Sequence, residues 1–133
     1  MNPNCLDSSV WIEITHAGAN AATFAKALSS AAPIIVSTIT LYEIARYSTR
    51  VAGQAATDQL LAFLHQHTVV PVTPEIATLA AALGARHRLA MTDALIYATA
   101  TAHKATLWTQ DSDFKDLPRV RYLPTPPPDT NLL

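Results

Sequence analysis

The sequence predicts an α/β fold of three layers, in which helices cover both faces of a mainly parallel sheet of four to five strands. Short β-branched runs alternate with longer segments whose apolar residues recur at helical spacing, and this alternation is typical of a parallel sheet with helical crossovers. Right-handed crossovers place the carboxyl ends of all the strands along one edge. Half of the 133 residues are apolar and 14% are charged, a balance that favours a packed domain over disorder.

The first strand and the first helix meet at Asp7. Cys5 and Leu6 predict a buried strand, and the apolar run stops at the carboxylate. A helix begins at the serines that follow, and Gly18 ends it. An open α/β sheet presents chemical groups at such a junction, so Asp7 is the first candidate functional residue.

An alanine-rich helix and a buried strand come next. Residues 21–32 carry Phe24 and Leu28 four positions apart, which predicts a helix. Pro33 ends that helix. Residues 34–36 are short and β-branched, which suits a buried parallel strand.

Two further helices follow this strand. One of the hydroxyl residues within 37–40 caps a helix that runs to about residue 51, and Gly53 closes it. Residues 54–66 hold leucines at helical spacing and predict the next helix. Their apolar patch has two interpretations, either as core or as part of a groove for a partner helix.

The third strand is predicted at residues 68–72, and its internal Pro71 indicates an edge position. Pro74 then opens another helix. Gly84 ends it, and residues 86–88 form a basic hinge.

The last part of the chain predicts one more helix and two more strands. Asp93 lies at the start of a helix that runs to about Lys104, and residues 106–109 form the fourth strand. Residues 120–123 are a candidate fifth strand. The sequence thus predicts one domain over residues 1–123 and a proline-rich, extended tail over residues 124–133.

Charge and cysteine content limit the functional class. Nine basic and ten acidic residues give a net charge of −1, which argues against a large non-specific nucleic-acid binder. Without an apolar run of about 20 residues or a secretory signal, we expect no membrane span or export. The single cysteine, Cys5, fits a reducing, cytoplasmic setting.

Acidic residues follow or begin elements that converge on one edge of the predicted sheet. Carboxylates gathered there repel one another, and a hard cation removes that cost. Oxygen-only ligation favours Mg²⁺ or Mn²⁺ over Zn²⁺. The acidic set comprises Asp7, Glu43, Asp93, Asp111 and Asp113.

Each of these carboxylates also has a purely structural interpretation. An aspartate before a helix is a common cap, and an aspartate in a loop shapes an Asx turn. The alternatives are an Asp7 cap, a Thr40–Glu43 capping box, a Thr92–Asp93 cap, and an Asx turn at Asp111 and Asp113.

At four segments the sequence resembles the PIN-domain ribonucleases, and among them the VapC-type toxins of toxin–antitoxin pairs. The order and spacing of the segments fit over nearly the whole chain. The segments are Leu6-Asp7-Ser8-Ser9, Ser37 to Ile44, Thr92-Asp93-Ala94-Leu95-Ile96-Tyr97-Ala98, and Thr109-Gln110-Asp111-Ser112-Asp113-Phe114.

The resemblance implies an Mg²⁺- or Mn²⁺-dependent endoribonuclease that hydrolyses RNA phosphodiesters with metal-activated water. The family's acidic quartet carries over onto Asp7, Glu43, Asp93 and Asp111, with Asp113 as the alternative to Asp111 for the inner ligand. Ser9 and Thr109 match polar positions that support the site. A metal held by Asp7 and Asp93 would orient water for in-line attack, with a second metal about 4 Å away.

The resemblance also implies partners: a cognate antitoxin, a second copy in a homodimer, and a structured RNA such as a tRNA. Four arginines are candidates for phosphate contact, with solvated helix faces as the alternative: Arg46, Arg50, Arg86 and Arg88. Two other functions remain open, a non-catalytic PIN-like binding module and a metal-dependent phosphohydrolase. A phosphohydrolase often has a second aspartate two residues after the first, where this chain has Ser9.

Overall fold

The structure is a computed structural model that describes residues 1–126. Within them, five strands form one parallel sheet in the order β3-β2-β1-β4-β5. This confirms the predicted fold class and the edge position of the third strand. The strands are β1 (Asn4–Leu6), β2 (Ile34–Ser37), β3 (Thr68–Val70), β4 (Thr106–Thr109) and β5 (Val120–Tyr122).

Six α-helices connect these strands within the described residues, and a 3-10 turn at Ser112–Phe114 follows β4. The helices cover both faces of the sheet, as the predicted three-layer arrangement requires. They are α1 (Ser8–Thr15), α2 (Ala21–Ser29), α3 (Thr38–Ala52), α4 (Gln54–Leu64), α5 (Pro74–His87) and α6 (Met91–Ala102).

Side chains of one strand alternate between two cores. Leu6 packs in the first core, with Trp11, Phe24 and Trp108. Its neighbour Cys5 packs in the second core, which α6 covers. Successive residues of a strand point to opposite faces of the sheet, so β1 contributes side chains to both cores.

The leucines of α4 belong to the first core. Leu64 is fully buried, and Leu60 and Leu61 pack against the same cluster. Leu64 is therefore part of the core. Leu60 also lines a cavity of about 90 Å³ with Ile12 and Val51, so the groove for a partner helix stays a prediction.

Strand β1 lies at the centre of the sheet, between β2 and β4. The chain builds outward from β1 through β2 to β3, then returns to place β4 on the other side of β1. Connections therefore leave the carboxyl ends of β1 and β4 in opposite directions, which opens a crevice at that point. Residues that follow β1 and β4 face one another across it.

Several element boundaries differ from the predicted ones, and three of the differences have a clear location. Helix α2 ends at Ser29, so the helix expected to reach residue 32 is shorter. Strand β3 ends at Val70, before Pro71, because proline has no N–H for the ladder. Helix α5 continues past Gly84 to His87, and Arg88, whose φ is 57°, follows as its C-cap. The predicted basic hinge over residues 86–88 is therefore wrong.

Gly84 serves helix packing rather than helix termination. A Cβ there would lie 3.1 Å from the Cβ of Ala94 on α6, so the absence of a side chain lets the two helices approach closely. The end of α5 consequently lies against the start of α6.

The structure describes only the beginning of the predicted tail. Residues 127–133 lie outside the described part of the chain. Asn20 Nδ2 donates to the Pro124 carbonyl at 3.0 Å, which fixes residue 124 beside α2. Within residues 1–126, none of the helices combines the length and apolarity needed to span a bilayer.

Candidate active site

Asp7 lies in the crevice at the end of β1 and is 4% exposed. It caps α1, because the Val10 N–H donates to its Oδ1 at 3.3 Å, so the cap interpretation is confirmed. The same carboxylate accepts two hydroxyl hydrogen bonds. Ser9 Oγ donates to Oδ1 and Thr109 Oγ1 donates to Oδ2, each at 2.5 Å.

Burial raises the pKa of Asp7 to about 6, because a charged carboxylate loses hydration in the interior. The hydrogen bonds from Ser9, Thr109 and the Val10 amide oppose that rise, and the negative charge of Asp111 adds to it. The hydroxyl groups of Ser9 and Thr109 thus take the place of water around the Asp7 carboxylate.

Two hydroxyl groups tie β1 to the loop that follows β4. Thr109 Oγ1 donates to Asp7 and accepts from the Asp111 N–H at 2.9 Å. Ser9 Oγ likewise donates to Asp7 and accepts from the Gln110 N–H at 3.1 Å. The position of the loop is therefore coupled to the orientation of the Asp7 carboxylate.

Three carboxylates stand together on the other side of the crevice. Oxygen atoms of Asp93, Asp111 and Asp113 lie within 4.8 Å of one another. The Asp113 N–H donates to Asp111 Oδ1 at 2.9 Å, which confirms the predicted Asx turn. This turn points both side chains towards Asp93.

Asp93 occupies the first turn of α6 without capping it. The helix begins at Met91 with Ala90 at the cap position, which provides no side-chain hydrogen bond. The predicted Thr92–Asp93 cap is therefore wrong. Burial, together with the charges of other carboxylates, raises the pKa of Asp93 to about 6. In order of effect these are Asp111, Glu43, Asp113 and Asp7.

Glu43 reaches the acidic group from α3. Ser8 Oγ donates to Glu43 Oε1 at 3.1 Å, and burial followed by the charge of Asp111 raises the pKa of Glu43. Ser37 caps α3 by accepting from the Ile39 N–H, so the predicted Thr40–Glu43 capping box is wrong.

Thr40 instead points into the core. It is fully buried, and its Oγ1 finds no hydrogen-bond partner among residues 1–126.

The structure therefore brings together all the carboxylates that the sequence singled out. The negative charge of Asp111 raises the pKa of Asp7, Glu43 and Asp93, so these carboxylates are close enough to repel one another. The donors are carboxylate and hydroxyl oxygens, a set that suits a hard divalent cation rather than zinc.

Two of the four candidate arginines lie beside this group. Arg46 and Arg50 line a cavity of about 420 Å³ together with Tyr42, Glu43 and Tyr47. The sequence analysis did not single out the two tyrosines. Tyr42 precedes Arg46 by four positions and Tyr47 follows Glu43 by four. This spacing is a usable signal, because residues four positions apart share a helix face.

The other candidate arginines, Arg86 and Arg88, lie outside that cavity. Both side chains are exposed at the end of α5. The start of α6 packs against this part of α5, at Gly84 and Ala94.

Polar contacts of the site that join different elements were not predicted from the sequence. Ser8 holds Glu43, and Gln110 donates through its amide groups to Ser9. Both contacts join residues from distant parts of the chain, so no local sequence pattern predicts them.

Comparisons with known proteins agree with this geometry. The family model of the PIN domain matches residues 5–120. A search of curated proteins found no match.

Several solved structures have a similar fold. A toxin–antitoxin complex from Klebsiella pneumoniae superposes with a TM-score of 0.75 at 24% identity, covering 89% of this chain and 95% of that one. VapBC2 from Rickettsia felis, bound to a DNA fragment from its promoter, gives 0.71 at 17% identity, with 91% and 97% covered. VapC20 from Mycobacterium tuberculosis, a Sarcin-Ricin loop cleaving toxin, gives 0.69 at 24% identity, with 84% and 92% covered. At these identities the similarity shows the fold.

Proposed function

This chain belongs to the PIN-domain family, and from that premise we propose that it is a metal-dependent endoribonuclease, the toxin of a toxin–antitoxin pair. The family is of the nuclease type, which supports a hydrolase. The observation that carries the proposal is the convergence of carboxylates from four distant segments at one crevice.

We assign Asp7 and Asp93 as metal ligands, with Glu43 and Asp111 completing the shell. Asp111 is preferred to Asp113 as the inner ligand because it is less exposed and its amide is hydrogen-bonded to β4. Asp113 then serves as an outer carboxylate that the Asx turn holds beside it.

The oxygen donors fit Mg²⁺ or Mn²⁺, which when bound activates water for in-line attack on a phosphodiester. The protein's own contribution is orientation. Ser9 and Thr109 fix both oxygens of Asp7, and Ser8 fixes Glu43. Side chains held in this way need not reorganise during the reaction.

RNA contact is assigned to the four arginines. Arg46 and Arg50 share a cavity with Glu43. Arg86 and Arg88 follow the part of α5 that packs against α6 near Asp93. Each pair can therefore hold a phosphate next to the acidic crevice, although the net charge of the chain is −1.

The toxin assignment is supported by the structural similarity to toxin–antitoxin complexes. We infer a cognate antitoxin as protein partner, a structured RNA such as a tRNA as substrate, and the cytoplasm as the site of action.

A homodimer is part of the same proposal. An apolar groove of about 700 Å³ runs between α5 and α6, with Ala77, Ala81 and Ala85 in its lining. Met91 also lines this groove and is 76% exposed. A protruding side chain beside a shallow groove suits a contact between two copies of one surface.

Incubation of the protein with RNA in Mg²⁺ or Mn²⁺ tests the proposal. We expect Asp7→Asn and Asp93→Asn to lower cleavage by at least about 100-fold, since each removes a metal ligand. Asp58→Asn, an exposed change on α4, is the matched control and should cleave normally. Equal cleavage by all the variants would overturn the assignment. Calorimetry without divalent-metal binding would favour a non-catalytic binding module.

A further inference from the structure

A stripe of aromatic and basic side chains runs along α3 away from the acidic crevice. The α3 stripe is defined here as Tyr42, Arg46, Tyr47 and Arg50. Tyr42, Arg46 and Arg50 stand four positions apart, and Tyr47 precedes Arg50 by three. All four line one cavity, so they share one side of the helix. Glu43 lines the same cavity, and the stripe is therefore continuous with the acidic group.

Tyrosines hold both arginines of the stripe. Arg46 Nη1 donates to Tyr42 Oη at 2.9 Å. The Arg50 guanidinium lies 5.8 Å from the centre of the Tyr47 ring, within the range of a cation–π contact. An arginine held by an uncharged ring keeps its charge available to a phosphate.

The two rings differ in how firmly they are placed. Tyr47 is half-buried, and its hydroxyl lies 3.3 Å from Nε2 of His16, the residue that follows α1. Tyr42 is 55% exposed. Tyr47 is thus part of a fixed surface, whereas Tyr42 presents an open aromatic face beside Glu43.

We propose that the α3 stripe binds an unpaired RNA strand next to the bond that is cut, with Tyr42 stacking on a base and Arg46 and Arg50 holding phosphates. The inference rests on the proposed ribonuclease function and adds to it the surface that holds the strand beside the cut, with Tyr42 as the residue that stacks on a base. A base inside a duplex is already stacked and cannot cover Tyr42. Arg50 lies about 10 Å beyond Glu43 along the helix axis, so the stripe guides the strand away from the crevice.

Charge complementarity favours RNA as the occupant. The carboxylates of the crevice repel an approaching phosphate, and the two arginines beside them provide the compensating attraction. The shared cavity means that a strand on the stripe also reaches Glu43. An acidic segment of a protein partner is the competing occupant, and the experiment distinguishes the two.

Binding is measured separately from cleavage, by fluorescence anisotropy of a short labelled single-stranded RNA in EDTA. We expect Tyr42→Ala to weaken binding about 5- to 100-fold, the value of one stacked base. Tyr42→Phe keeps the ring and should bind within about twofold of the unchanged protein. A blunt RNA duplex of equal length should bind more weakly than the single strand and should not distinguish Tyr42→Ala from Tyr42→Phe.

The role of the two arginines is tested by measuring how RNA affinity depends on salt concentration. Arg46→Ala with Arg50→Ala should reduce the slope of log affinity against log salt by about 1.4, because single strands release about 0.7 counterion per phosphate contact. Lys104→Ala with Arg119→Ala is the matched control. Both control residues are exposed and precede β4 and β5, at the opposite edge of the sheet, so the slope should not change.

Unchanged RNA affinity and salt slope in the stripe variants would overturn the inference. The same holds if those variants bind RNA normally but lose the antitoxin, because the stripe would then be a protein interface. Absence of cleavage by the unchanged protein would overturn the ribonuclease proposal alone, since the binding data are collected without metal.

Discussion

Replacing Asp7 with asparagine should stabilise the metal-free protein at neutral pH and not in acid. Asp7 is 4% exposed, and burial raises its pKa from 3.8 to about 6. The folded protein therefore binds the proton more tightly than the unfolded chain does. This contribution to stability is complete below about pH 4 and is lost as the pH rises to about 6.

The size of the effect follows from the shift. Each pKa unit corresponds to about 1.4 kcal/mol, so the ionised carboxylate costs the fold about 3 kcal/mol. Asparagine keeps the shape but does not ionise. We expect the difference in unfolding free energy between Asp7→Asn and the unchanged protein to grow by about 2–3 kcal/mol between about pH 4 and about pH 7.5.

Urea denaturation in EDTA at several pH values measures this difference, with the fluorescence of the buried Trp11 and Trp108 as the signal. Comparing the two proteins at each pH cancels the titration of groups that they share. Asp58→Asn, at an exposed position on α4, controls for the loss of one negative charge. A difference that is constant with pH, or that grows towards acid, would refute the reasoning.

Four further predictions concern two hydroxyl groups, one glycine and the addition of Mg²⁺. Thr40→Val should raise the unfolding free energy by about 1 kcal/mol, because it removes a buried hydroxyl that lacks a partner among residues 1–126; a loss of stability in urea would contradict this. Thr109→Val should instead cost about 1–3 kcal/mol and lower RNA cleavage, because Asp7 and Asp111 both bond to the hydroxyl; unchanged stability and activity would show the bond to be dispensable. Gly53→Ala should cost about 1–3 kcal/mol by thermal unfolding, since its φ of 87° and ψ of 175° suit glycine while no atom within 4 Å opposes a Cβ; a neutral result would refute the backbone argument. Mg²⁺ at about 100 times its Kd should raise the unfolding free energy of the unchanged protein by about 2.7 kcal/mol and that of Asp93→Asn by almost nothing. Equal increases for the two proteins by calorimetry would exclude Asp93 as a ligand.

The convergence of the acidic residues was predictable because it depends on topology alone. Asp7 and Asp111 each follow a strand, and Asp93 lies in the first turn of a helix. Once the strands are parallel, these positions share an edge regardless of the details of packing. Glu43 joins them one turn further along α3.

Hydrogen bonds between elements were not predictable from the sequence. The Ser8–Glu43 bond depends on how α1 and α3 are rotated relative to one another, and no periodicity encodes that rotation. The Thr40–Glu43 capping box failed for a related reason. Ser37 ends β2 fully buried and is already placed to cap α3, so the helix starts one turn earlier than the box requires.

The predicted end of α5 at Gly84 was wrong because this glycine is needed for helix packing. Glycine commonly ends a helix, yet Gly84 lies inside α5 because Ala94 occupies the space of its missing side chain. Only the position of the neighbouring helix distinguishes these two uses of glycine.

The bond between Thr109 and Asp7 also determines when the site can exist during folding. Its two residues are 102 positions apart, and β1 and β4 must pair before the hydroxyl reaches the carboxylate. Contacts of such long range form late, after the local helices and the pairing of β1 with β2. A chain that ends before β4 lacks both this hydroxyl and Asp111. Formation of the acidic site consequently requires that β4 has paired with β1, and a chain synthesised only as far as α6 does not contain the complete site.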